Sequence, residues 1–139
     1  MPSILLADDS ALIRLLLRQF LESQTNFTVC AEAENGMEAI ERARELRPDL
    51  ILIDLWMPGF SGAIASAIIK EEMPETKIVL FTLQGAAVPG TLESISRADL
   101  VVQKDADLRE LPGKLNALLE GKSAAPESGA TAASEPRTR

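Results

Sequence analysis

The 139-residue chain contains no histidine and no tyrosine, a single cysteine, and aromatic residues at only 4 % of its positions. Without histidine it has no imidazole zinc ligand, no serine or cysteine triad of the usual kind and no phosphohistidine of its own. Any phosphoryl group passing through this chain must come from another molecule. Basic residues are scarce as well: 14 lysines and arginines face 21 aspartates and glutamates, for a formal net charge of -7. Affinity for nucleic acid draws mainly on counterion release by basic surface, so direct DNA binding is not expected.

Long hydrophobic runs are also missing. A stretch such as Leu50 to Ile53 falls far short of the roughly 20 apolar residues that a membrane-crossing helix takes. Met1 leads straight into a strand-like segment, without the basic region, apolar core and small-residue cleavage site of a secretion signal. The lone Cys30 lies in an apolar run and is expected to be a small buried hydrophobe rather than a reactive thiol. These absences point to a soluble protein of the reducing cytoplasm, without membrane or disulfides.

What the chain does have is alternation. Short apolar runs at Ile4 to Ala7, Thr28 to Ala31, Leu50 to Ile53, Ile78 to Phe81 and Leu100 to Val102 alternate with longer helical patterns. Runs this continuous suit strands buried on both faces of a parallel sheet covered by crossover helices, which makes the fold class doubly wound α/β. The first helical pattern carries Ile13, Leu16, Leu17, Phe20 and Leu21 on one face, read as core, with Arg14 and Arg18 on another. The second opens with Asn35 followed by Glu38, an N-cap arrangement, and stops at Pro48. A third runs roughly from Gly62 to Met73. Pro89-Gly90 sits where the fourth should begin, and Pro112-Gly113 interrupts the fifth, which is expected to start near Pro112 or kink there. Residues 1–120 form one domain in this scheme. From Gly121 to Arg139 the Ala, Ser, Pro, Gly and Thr residues cannot bury enough apolar surface to offset ordering entropy, so this stretch is expected to be a disordered tail.

In open parallel sheets, ligands bind at the carboxyl ends of the strands. The polar residues there are Asp8 and Asp9 after the first strand, Asp54 after the third, Thr82 after the fourth and Lys104 after the fifth. Taken singly, each has an ordinary explanation: Asp8-Asp9 as a helix cap, Asp54 as a loop residue before Met57-Pro58-Gly59, Thr82 as a strand-end hydroxyl, Lys104 as a solvated charge. Taken together they do not. Three converging carboxylates repel one another unless a cation neutralises them. An oxygen-only set of this density suits magnesium, which keeps several waters and binds substrate phosphate. A lysine and a hydroxyl beside it complete a phosphoryl-transfer site, where positioning and charge neutralisation dominate.

On Asp8-Asp9, the run Asp54-Leu55-Trp56-Met57-Pro58-Gly59 with Gly62, Thr82 and Lys104, the chain resembles the response regulator receiver family over about residues 3 to 120. Ala33-Glu34-Asn35-Gly36 and Lys104-Asp105-Ala106 are most similar to receivers of the nitrate-response type. The resemblance implies a (βα)5 flavodoxin-like three-layer sandwich with strand order 2-1-3-4-5. It further implies that Asp54 takes a phosphoryl group from a phosphohistidine of a histidine kinase or phosphotransfer protein. Asp9 would bind Mg2+ directly and Asp8 mainly through water, with Asp54 and the backbone carbonyl of Trp56 completing the set. Lys104 and Thr82 would each meet a phosphoryl oxygen. The product is a switch that changes its affinity for an output protein, as a monomer or weak phosphorylation-dependent dimer, and not a turnover enzyme. Two positions depart from the pattern: Leu83 stands where a small residue is usual, and Val101 where an aromatic ring is usual.

Two rival functions remain open. One is the receiver half of a DNA-binding regulator whose output domain is absent from this chain. The other is a magnesium-dependent phosphatase of the haloacid dehalogenase type, which wants an Asp-x-Asp nucleophile after its first strand where Asp8-Asp9-Ser10 stands.

Overall fold

A computed structural model of the chain describes residues 1–59, 61–82, 94–104 and 107–121. The strands β1 (Ser3–Ala7), β2 (Thr28–Ala33), β3 (Leu50–Asp54), β4 (Lys77–Thr82) and β5 (Leu100–Gln103) form one parallel sheet in the order β2-β1-β3-β4-β5. Among the described residues the connections include α1 (Ala11–Gln24), α2 (Gly36–Leu46), α3 (Gly62–Glu72) and, after a 3-10 turn at Leu108–Glu110, α4 (Leu111–Leu119). The doubly wound class is the one read from the apolar runs, and the strand order is the one the family resemblance implies.

Strand alternation sorts the apolar side chains into two cores, one on each face of the sheet. Leu5, Ile51, Ile53, Ile78 and Leu80 pack with Ala39, Ile40 and Ala43 of α2 and with Ala63, Ala65 and Ile69 of α3. Ile4, Leu6, Leu50, Leu52, Val79 and Phe81 pack with Leu17 and Leu21 of α1 and with Leu111, Leu115 and Leu118 of α4. Each fully buried aliphatic side chain stabilises the fold by roughly 1.5–3 kcal/mol, which is why the central strands β1, β3 and β4 hold the frame.

Local signals set the boundaries. The Asn35 side chain accepts the Glu38 amide at 2.8 Å, and the Glu38 carboxylate accepts the Glu34 amide at 2.8 Å, so the expected N-cap is present. Pro112 lies in the first turn of α4, where its missing N–H has no helical partner to lose, so the helix starts there instead of kinking. Residues 94–96 are helical; Leu83, Pro89-Gly90, Asp105-Ala106 and the tail beyond Gly121 lie outside the described residues. No helix among the described residues is long and apolar enough to cross a membrane.

Two expectations need correction. Cys30 is exposed: the register of β1 against β2 skips it, Ile4 pairing with Val29 and Leu5 with Ala31, so it is the extra residue of a bulge in this edge strand. Leu16 is 51 % exposed although it falls on the apolar stripe of α1; the burial centres on Leu17 and Leu21.

Candidate functional site

The carboxyl ends of β1, β3, β4 and β5 bring the predicted residues together. Asp8 follows β1 directly and is buried. Its amide donates to the Ala33 carbonyl at 3.0 Å, its Oδ1 accepts the Ser10 amide at 2.8 Å, and its carbonyl accepts the Arg14 guanidinium. Capping of α1 falls to Ser10, whose hydroxyl accepts the Ile13 amide at 3.2 Å. The ordinary explanation of Asp8-Asp9 as the helix cap is therefore replaced: Asp8 braces the turn, and Asp9 stands exposed beside it.

Asp54 is the last residue of β3 and only 6 % exposed. Its Oδ1 accepts the Trp56 amide at 3.3 Å, which places Trp56 in the turn leaving the carboxylate. Gly59 (φ +80°) sits farther along this turn in the left-handed region. The Gly62 amide then returns to the Leu55 carbonyl at 2.7 Å. A Cβ at Gly62 would lie 1.9 Å from the Asp54 carbonyl oxygen, so no other residue fits there without moving the end of β3. Ser61 caps α3 through the Ile64 amide.

One carboxylate oxygen each from Asp8, Asp9 and Asp54 lie within 4.8 Å of one another. Lys104 reaches between them. Its backbone amide is fixed to the Thr82 carbonyl at 2.6 Å, and its Nζ lies 2.7 Å from Asp8 Oδ2 and 3.4 Å from Asp54 Oδ2. The ammonium also sits 5.9 Å from the centre of the Phe81 ring. Burial pushes the Asp54 carboxyl above its ordinary range; Lys104 pulls it back and the Asp8 charge pushes it up again. For Lys104, burial works against the charge, but the close contact with Asp8 and the charges of Asp54 and Asp8 outweigh it and hold the ammonium above its ordinary value.

Three carboxylates against one ammonium leave an excess of negative charge at a half-enclosed point. Two buried atoms there are incompletely engaged. The Thr82 hydroxyl, on a side chain that is almost fully buried, has no hydrogen-bond partner among the described residues. Asp8 Oδ2 touches the ammonium at 2.7 Å, yet the contact is an ion pair without good hydrogen-bond alignment. Hard oxygen donors, surplus charge and free polar capacity fit a divalent cation such as Mg2+ and a phosphate-like oxyanion. Sequence reasoning missed Arg14 and its partner Glu32, because their 2.8 Å contact joins residues on different elements with no shared motif.

The model of the response regulator receiver domain matches residues 4–116. The response regulator protein VraR of Staphylococcus saprophyticus is 38 % identical over 79 residues, which cover 57 % of this chain and 38 % of that protein. The chain thus spans about two fifths of that relative's length. A solved two-component response regulator of the LuxR family from an Aurantimonas species superposes with a TM-score of 0.80 at 28 % identity, over 95 % of this chain and 90 % of that one. A solved DNA-binding response regulator of the LuxR family from Staphylococcus aureus gives 0.77 at 25 % identity, over 86 % and 99 %.

Proposed function

The chain belongs to the response regulator receiver domain family, and on that premise we propose that it is the phosphoacceptor switch of a two-component phosphorelay. Asp54 is the acceptor. Its carboxylate oxygen attacks the phosphorus of a phosphohistidine on a histidine kinase or phosphotransfer protein. An O–P bond forms, the P–N bond breaks, and the imidazole leaves with that electron pair. Asp9 directly, Asp8 mainly through water, Asp54, and the Trp56 carbonyl are the groups that would hold Mg2+. The cation would supply charge neutralisation for the phosphoryl oxygens during transfer.

Lys104 pairs with one phosphoryl oxygen, moving its charge from the Asp8-Asp54 pair to the new anion. Thr82 donates its hydroxyl to another. The observation that carries this assignment is that buried hydroxyl, which has no partner among the described residues and stands on the strand beside Asp54. A hydroxyl so placed is costly unless it gains an acceptor, and the phosphoryl group is one. Residues 1–120 act as the receiver, a cytoplasmic binding switch with slow self-hydrolysis, whose output is a changed affinity for a protein partner. Incubation with Mg2+ and acetyl phosphate, read by intact mass, should add one phosphoryl group to the wild type and to Thr82→Ala but none to Asp54→Ala. Undiminished labelling of Asp54→Ala removes the assignment.

A second reading, the receiver part of a DNA-binding regulator, is favoured by the solved DNA-binding relative and by the greater length of VraR. Reading the gene past the codon for Arg139 separates the two.

A further inference from the structure

Asp9 makes no side-chain hydrogen bond among the described residues and is exposed, so its direction depends on the backbone that carries it. That backbone is held on both sides of Asp8. The Asp8 amide is tied to Ala33 on β2, and the Asp8 carbonyl, the first half of the Asp8-Asp9 peptide, accepts the Arg14 guanidinium. Arg14 is in turn fixed by a second bond, from its Nε to Glu32 Oε1 at 2.8 Å, and its side chain is only 15 % exposed. Glu32 is held from the other side by Arg18, whose Nε meets Oε2 at 2.9 Å. The planar guanidinium thus spans β2 and the β1–α1 turn as a rigid fork, a geometry that a point-charge ammonium cannot copy.

We propose that Arg14 is a positioning residue for the metal site, fixing the Asp8-Asp9 peptide so that Asp9 meets the cation, while Glu32 keeps the guanidinium charge turned toward β2. This rests on the magnesium site assigned above. The sign of the effect separates geometry from charge. Arg14 is a cation close to a divalent-cation site, so by Coulomb's law alone its removal should tighten magnesium binding. Positioning demands the opposite, because a ligand whose support is lost must be ordered at the moment of binding.

Magnesium titrations followed by Trp56 fluorescence, with magnesium chloride as the only addition, test this on the full chain. Arg14→Gln should weaken the apparent affinity roughly tenfold, and Arg14→Lys should weaken it less although it keeps the charge. At saturating magnesium, acetyl phosphate should label both variants at close to the wild-type rate, since the reacting groups remain. A merely structural role for Arg14 would lower thermal stability and leave the affinity unchanged. Unchanged or tighter binding in Arg14→Gln overturns the inference alone. A wild type whose magnesium response is absent overturns the metal site, and this inference with it.

Discussion

The two edges of the sheet each hold a lysine against an aspartate, and the two pairs differ in completeness. At the amino edge of β4, Lys70 Nζ donates to the Thr76 carbonyl at 2.7 Å and to Asp99 Oδ2 at 2.8 Å, and the same oxygen accepts the Ile78 amide at 2.8 Å. One charge meets one countercharge, and backbone groups take up the rest. At the carboxyl edge, Lys104 stands among three carboxylates beside a hydroxyl that has no partner among the described residues. The first arrangement closes the fold; the second holds charge and hydrogen-bonding capacity that the described residues leave unused. An ion pair therefore reads as structure or as function by what is left over around it.

The comparison breaks most visibly at Gly62. Gly62→Ala places a methyl group against the Asp54 carbonyl, so the end of β3 must shift; a loss of about 3 kcal/mol in urea denaturation is expected, with labelling of Asp54 impaired. If Gly62→Ala is as stable as wild type, the close packing at this edge is not needed to shape the site. Lys70→Met should cost roughly 2 kcal/mol, since the partly buried Asp99 loses its countercharge, while phosphorylation proceeds normally. Slowed phosphorylation in that variant would show that the two edges are coupled.

The smallest effect has the most informative sign. The Asp54 carboxyl is raised above its ordinary value of 3.8, so its neutral form contributes stability that is fully present below that pH and is lost as pH rises through the raised value. At neutral pH the ionised group is a burden. Asp54→Asn should therefore melt a few degrees higher than wild type at neutral pH, with the difference vanishing below about pH 3.8. Saturating magnesium should narrow the gap at neutral pH. A variant that melts lower at neutral pH would mean that Lys104 already compensates the charge in full.

Much of this was legible in the sequence because hydropathy and strand-end polarity are local. Every apolar run became a strand, and Asp8, Asp54, Thr82 and Lys104 all lie at strand ends because the runs stop there. What failed depended on neighbours. The run around Cys30 looks like the others, but the bulge that turns Cys30 outward depends on the register against β1, which is not written in the residues of β2 alone. The apolar stripe of α1 is wider than the strip its neighbours cover, which leaves Leu16 exposed. The pairs Arg14-Glu32 and Lys70-Asp99 join residues far apart in the chain, with no periodicity to announce them.

The most direct test locates the phosphoryl group itself. Borohydride reduces an aspartyl phosphate to homoserine, so the chain can be phosphorylated with acetyl phosphate and magnesium, reduced, digested and sequenced by mass spectrometry. Homoserine at position 54, with Asp8 and Asp9 unaltered, is the predicted result. Homoserine at either of those two positions, or an unaltered Asp54 in protein whose intact mass shows the added group, would contradict it.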